Sequence, residues 1–337
     1  MIFARTFRLP LSVSILVATL AGLFLASAAR ADADYKGAIV IDAATGATIF
    51  EDNADVVSPP ASVAKLMTFL IVHDALAAGR ITLATPVTAD AIDKSMGGTQ
   101  VNLDTGETFT VEELLYAVMV ESANDAAHAL THAAASGRDE FVALMNARAR
   151  QLGMKNTVFR SPHGLPPSSR QIADGDLTTP RDLAILSREL VTRTDVLRYS
   201  NVRTRPFAEG VRPQTLHMLN HNKLLGKVDG VDGLKTGFTR GAGFCIAATA
   251  QRGDKRLIVV TMDSPTSKGR DLRVSRLIEE SFALIPATSV FRGYTPSPIA
   301  ASTVESPIHS SPSPQPPSTP AAPAEPPSVK FVLPPRK

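Results

Sequence analysis

The sequence holds one cysteine, Cys245, and no tryptophan, and only 5% of its residues are aromatic. A disulfide within the chain is therefore excluded, and so is a cysteine-ligated metal cluster. Excess charge is also scarce. A net charge of +3 over 337 residues is too small to hold a phosphate backbone, so no nucleic acid is expected as a partner. Beyond the N-terminus no run is long and apolar enough to cross a bilayer. Neither an HExxH string nor a Gly-x-Ser-x-Gly elbow occurs. With the first goes the usual helical zinc signature, and with the second the nucleophile setting of an α/β-hydrolase; no metal and no cofactor are expected.

What is present begins with Arg5 and Arg8, an apolar run from Leu11 to Leu25, and small residues at Ala26-Ser27-Ala28 and Ala29-Arg30-Ala31. This is the layout of a secretory signal peptide over residues 1–31, with cleavage expected just before Asp32. The run is short for a crossing of about 20 residues. No firm membrane anchor is expected after cleavage, and the mature chain belongs in the periplasm or another extracytoplasmic part of the cell envelope. From about Arg292 the texture changes: about half of the 25 prolines fall there, among Ser, Thr and Ala. Such a stretch buries too little apolar surface to offset its ordering entropy, so residues 287–337 read as a disordered, proline-rich tail. Between the two lies an ordinary globular composition, 44% hydrophobic and 20% charged overall, which places the folded domain at residues 32–286.

Within that domain strand and helix signals alternate. Gly37 to Asp42 and Ala47 to Phe50 flank a turn and read as a hairpin, and Phe244 to Ala250 with Leu257 to Met262 read as a second. Helical patterns cover Ser62 to Ala78, Val111 to Val120, Asp125 to Ala135, Asp139 to Leu152, Pro180 to Val191 and Arg270 to Leu284. Cys245 falls inside the second hairpin, where it reads as a small buried hydrophobe. Strands, a central helical block and returning strands imply an α+β domain, an antiparallel sheet packed with helices.

Candidate chemistry starts at Ser62-Val63-Ala64-Lys65, just after Pro59-Pro60. Three residues apart at a helix start, hydroxyl and amine share one face, so a lysine made neutral by burial could take the serine's proton. Free backbone N–H groups at that helix end could hold an oxyanion. Alone the string is weak, because solvated helices contain it by chance. Ser122-Ala123-Asn124 follows, for which a helix N-cap is the plain alternative, and then Lys235-Thr236-Gly237 after a loop at Val228 to Gly233.

In this order the three strings resemble the signature of penicillin-binding proteins and serine β-lactamases. The flanking strings Asp42-Ala43-Ala44-Thr45-Gly46, Leu152-Gly153-Met154-Lys155-Asn156-Thr157 and Pro162-His163-Gly164-Leu165 narrow the resemblance to the serine D-Ala-D-Ala carboxypeptidases, the small penicillin-binding proteins, over about Lys36 to Leu284. That resemblance implies a transpeptidase-like fold with a helical subdomain beside the sheet. It implies Ser62 as nucleophile, Lys65 as its base and Ser122 as a proton relay to the leaving D-alanine. Asn124 would hold the substrate amide. Lys235 and Thr236, beside Gly237, would bind the terminal carboxylate, with Arg270 as a second positive charge, for which a surface arginine is the alternative. The backbone N–H groups of Ser62 and Phe238 would form the oxyanion hole. The implied partners are peptidoglycan stem peptides, with β-lactams as covalent inhibitors.

Two departures stand out. Phe238 occupies a place where some relatives carry His, and the best-known relatives continue into a second, β-rich domain that this chain replaces with its proline-rich tail. Three rival readings remain: an endopeptidase cleaving crosslinks with the same residues, a non-catalytic peptidoglycan- or β-lactam-binding module, and a class A β-lactamase. The last would carry Glu-x-x-Leu-Asn between Asn124 and Lys235, where no such string occurs. Asp174, Asp176 and Glu189 in that interval read as loop and surface charges, and His163 as a loop residue.

Overall fold

The computed structural model describes residues 35–295. The signal peptide expected over residues 1–31 and the tail from Pro296 lie outside the described residues. The chain enters on β1 (Gly37–Asp42) and returns on β2 (Thr48–Asp52). Asp42 shapes the turn between them: its Oδ1 accepts from the N–H of Ala44 at 3.0 Å and its Oδ2 from the hydroxyl of Thr45 at 2.7 Å. A 3₁₀ turn at Ala61–Ala64 leads into α1 (Lys65–Ala77). There follow β3 (Pro86–Thr88), α2 (Ala91–Lys94), β4 (Thr108–Thr110), α3 (Val111–Tyr116), α4 (Asn124–Ala134), α5 (Arg138–Leu152), α6 (Pro180–Arg193) and α7 (Val196–Ser200). A ribbon of β5 (Thr204–Phe207) and β6 (Leu216–Leu219) precedes β7 (Val231–Thr239), β8 (Gly243–Arg252), β9 (Lys255–Ser264) and α8 (Ser267–Phe282).

The main sheet is antiparallel throughout, in the order β2-β1-β9-β8-β7. Because side chains alternate across a strand, it divides the core in two. Ile39, Ile41, Ile258, Val260 and Ala247 face a large core shared with α1, α4 and α6. Val40, Val259, Leu257 and Ala248 face a smaller one closed by Val274, Leu277 and Ile278 of α8. Apolar groups are needed on both faces, which is why β1, β8 and β9 read as nearly continuous apolar runs. Caps set the helix starts: Thr179 caps α6 ahead of Pro180, and Thr266 caps α8.

Four expectations are corrected. The helix predicted from Ser62 starts as a 3₁₀ turn and becomes α-helical only at Lys65. The helix predicted over Val111 to Val120 is α-helical to Tyr116 and continues as a widened π turn over Ala117–Glu121. The loop predicted at Val228 to Gly233 gives way at Val231 to β7, whose glycines and aspartate hide it from propensity while its pairing with β8 fixes it. Finally, packing continues past Pro286: Phe291 is buried in the large core, its N–H donates to Asp254 O at 2.7 Å, and the Ser289 hydroxyl donates to Asp42 Oδ2 at 2.7 Å.

Candidate active site

Ser62 sits on the 3₁₀ turn between two segments that press on its backbone. Gly164, at φ +80°, is one contact: a Cβ there would lie 1.9 Å from Ala61 O. The other is Gly237 of β7, where a Cβ would lie 2.8 Å from Pro60 O and 2.9 Å from Ser62 N. Only glycine permits both approaches. Ala61 itself is left-handed at φ 48°, a conformation an alanine holds at a cost of about 1 kcal/mol. A 3₁₀ turn has three residues per turn, so positions i and i+3 eclipse. Ser62 and Lys65 are thereby stacked, with Nζ 3.1 Å from Oγ.

Lys65 is fully buried. Its Nζ also lies 2.6 Å from Asn124 Oδ1 and 2.8 Å from His163 O. Both oxygens can only accept, so in the neutral amine they would take the two hydrogens and the lone pair would face the serine hydroxyl. Burial pushes the lysine well below its ordinary range, Lys235 adds to this, and Asp125 and Asp176 pull the other way. Two loops deliver these partners. Asp176 Oδ1 accepts from the N–H groups of Arg160 and Ser161, and its Oδ2 from the Ser161 hydroxyl at 2.7 Å, while Ser161 Oγ accepts from Gly164 N at 2.9 Å. Asp176 is thus a buried brace of the His163 loop and not a surface charge, a correction to its sequence reading. Asp125 does the same for the opposite wall, accepting from Val101 N and Leu103 N.

Ser122 follows the π turn at φ 69°, left-handed and buried, and its Oγ has no partner among the described residues. It is not a helix N-cap: Ala123 holds that position and Asn124 opens α4. The Asn124 amide is engaged by Lys65 and by Gly97 O, to which Nδ2 donates at 2.7 Å, so only its second N–H is left for a substrate. Its first task here is to orient Lys65.

Ser62, Ser122, Thr236, Gly237, Phe238 and Arg270 line one open cleft of about 560 Å³. Lys235 lies behind Thr236, 2% exposed, donating only to Thr236 O at 3.2 Å. Burial, then Arg270, push it down to about 7, against Glu121. Arg270 is buried, held by Asp271 at 2.7 Å and by Cys245 O, so it is not a surface arginine. Phe238 stacks on Phe244 at 4.2 Å and is 52% exposed at the cleft mouth. Cys245 is buried, its thiol pushed up to about 12 by that burial, and stays an inert hydrophobe.

Sequence reasoning missed the carbonyl of His163, the brace at Asp176, and His221 with Arg203, Lys223 and Lys227, which line the same cleft. It did not single out Asp93, His128 and His132, whose donor atoms lie within 4.8 Å of one another. A His-x-x-x-His spacing was the one available signal.

The family model described as D-alanyl-D-alanine carboxypeptidase matches residues 25–266. The chain is similar to D-alanyl-D-alanine carboxypeptidase DacF of Bacillus subtilis (strain 168), 33% identical over 253 residues, 74% of this chain and 62% of that protein. It is also similar to DacA of Escherichia coli (strain K12), 34% identical over 257 residues, 74% of this chain and 61% of that one. The chain thus spans about three fifths of the length of these curated relatives. Among solved structures, penicillin-binding protein D2 from Listeria monocytogenes in its ampicillin-bound form aligns with a TM-score of 0.66 at 32% identity, covering 74% of this chain and 97% of that one. The D-alanyl-D-alanine carboxypeptidase of Mycobacterium tuberculosis H37Rv aligns at 0.69 and 26% identity, covering 78% and 96%.

Proposed function

We propose that this chain, which belongs to the D-alanyl-D-alanine carboxypeptidase family, removes the terminal D-alanine from peptidoglycan stem peptides through an acyl-enzyme on Ser62. The observation that carries this reading is the buried Lys65 amine, whose Nζ lies 3.1 Å from Ser62 Oγ, 2.6 Å from Asn124 Oδ1 and 2.8 Å from His163 O.

Ser62 Oγ attacks the carbonyl between the two D-alanines as its proton passes to Lys65 Nζ. The oxyanion is received by the N–H groups of Ser62 and Phe238, a reading supported by the close approach of Gly237, next to Phe238, to the Ser62 backbone. Collapse breaks the C–N bond, and Ser122 hands a proton from Lys65 to the departing amine. Water then attacks the ester, losing its proton to the neutral Lys65, and Ser62 is regenerated. The substrate carboxylate is held by the Thr236 hydroxyl and by Lys235 and Arg270, a hydrogen-bond donor and two cations suited to an anion.

Export through the N-terminal signal would bring the enzyme to its substrate. Among the described residues no helix is long and apolar enough to cross a membrane.

Incubation with a pentapeptide should release D-alanine faster than crosslinked dimers are cut, and Ser62→Ala should abolish release and penicillin labelling with the fold intact. Preferential cleavage of crosslinks would favour the endopeptidase reading. Covalent labelling of Ser62→Ala would overturn the assignment.

A further inference from the structure

We propose that Asp93, His128 and His132 form a binding site for a divalent transition-metal ion, zinc foremost, that fastens α2 to α4. The residues come from two elements. His128 and His132 are four apart on α4, on one face, and both address the carboxylate of Asp93 on α2. His128 Nδ1 lies 2.6 Å from Asp93 Oδ1 and His132 Nε2 lies 3.1 Å from Asp93 Oδ2. The three donor atoms all fall within 4.8 Å of one another. Asp90 Oδ2, 3.6 Å from His132 Nε2, offers a fourth oxygen while its Oδ1 caps α2.

The donor set decides the ion. Two imidazole nitrogens with carboxylate oxygen suit zinc, cobalt, nickel or copper, whereas magnesium and calcium want six or more oxygens. Asp93 is fully buried and is fixed by the N–H of Asp90, donating to Oδ2 at 2.8 Å. A tetrahedral ion with bonds of about 2.1 Å spaces its ligands by about 3.4 Å. The imidazoles therefore have to withdraw by less than about 1 Å, and His132, which is exposed, opens the path from solvent. A ring that ligates through the inner nitrogen carries its proton on the outer one, Nε2 of His128 and Nδ1 of His132.

None of the three lines the cleft, so the ion is structural and not part of the reaction. Its place is informative all the same. α4 opens at Asn124, whose N–H donates to Thr99 O and whose Nδ2 donates to Gly97 O, in the loop that follows α2. An ion joining α2 to α4 tightens the wall that orients Asn124. This inference rests on no assumption about the reaction.

The test uses the full chain without a polyhistidine tag, stripped with a chelator and titrated with zinc chloride by calorimetry and thermal melting. One site per chain is expected, with a melting temperature raised by several degrees at a hundredfold excess over Kd and no response to magnesium. His132→Ala should fold, because the residue is exposed, and should lose at least tenfold in affinity together with the thermal gain. Cobalt-loaded wild-type chain should show the visible absorption of a tetrahedral site, absent in His132→Ala. Absence of zinc binding and of the cobalt spectrum in the wild type, or undiminished zinc binding by His132→Ala, would overturn the proposal and leave the cluster as a hydrogen-bonded clamp alone.

Discussion

If Lys235 binds the substrate carboxylate as an ammonium, its titration should govern the alkaline side of the reaction. Its pKa stands at about 7, against an ordinary 10.5, because the side chain is fully buried and Arg270 adds like charge. The interval is about 3.5 pH units, and at about 1.4 kcal/mol per unit the protonated native form is penalised by about 5 kcal/mol. The sign follows from which state binds the proton first. As pH falls from 10.5, the unfolded chain takes up the proton before the native one, so this group contributes instability that grows down to about pH 7 and is constant below. A bound carboxylate returns part of that penalty, and binding above pH 7 must draw in a proton. Acylation measured as kcat/KM should therefore fall about tenfold per pH unit above 7, or about a hundredfold by pH 9. The assay is release of D-alanine from a pentapeptide across pH 5 to 10, beside release of D-alaninamide from the C-terminally amidated peptide and the Lys235→Arg variant. The amide lacks the anion and should be a poor substrate with no limb near 7. Arginine stays charged throughout and should carry the plateau to higher pH. A flat wild-type profile between pH 6.5 and 9, or the same limb with the amide, would refute the reasoning.

Other outcomes follow from the same geometry. Lys65→Arg, which cannot act as a base, should retain noncovalent penicillin binding while acylation falls by about 10²- to 10⁴-fold in stopped-flow labelling. Gly164→Ala places a Cβ 1.9 Å from Ala61 O at a left-handed position, and should lower stability by more than about 2 kcal/mol in denaturant melts and slow acylation together. Truncation after Thr295 should leave the melting temperature unchanged, whereas truncation after Pro286 removes buried Phe291 and should cost about 3 kcal/mol. Benzylpenicillin should form an adduct that persists for minutes by intact-mass spectrometry, since its remnant blocks the water that a departing D-alanine admits; decay within seconds would favour a β-lactamase.

The parts of the fold that sequence revealed are those whose signal is local. The β1-β2 and β8-β9 hairpins follow from apolar runs around turn residues, and α6 from Thr179-Pro180 and its periodic apolar face. The 3₁₀ turn at Ser62 was not legible, because it is imposed by Gly164 and Gly237, which lie far along the chain. For the same reason the motif serine, lysine and asparagine could be named, but not that Asn124 faces Lys65 across 59 positions. A backbone carbonyl such as that of His163 leaves no mark on residue type at all. Phe291 reads as part of the tail because one aromatic in a proline-rich neighbourhood does not shift the local composition.

The position of β7 at the end of the sheet bears on how the molecule avoids its own kind. A strand at a sheet edge offers unpaired backbone groups to any passing chain, which is how ordered aggregates begin. The opposite edge, β2, is five residues long and carries Glu51 and Asp52, with Arg181 gripping Glu51. At β7 the outer rim is shielded by the Ser62 turn at Gly237 and by α7 at Gly233, and the stretch Thr236 to Phe238 lines the cleft together with Arg270. A second copy cannot bring a flat strand edge into that recess, whereas a slender peptide with a terminal anion can. The same recess that admits a ligand therefore also protects the strand edge from pairing with another copy.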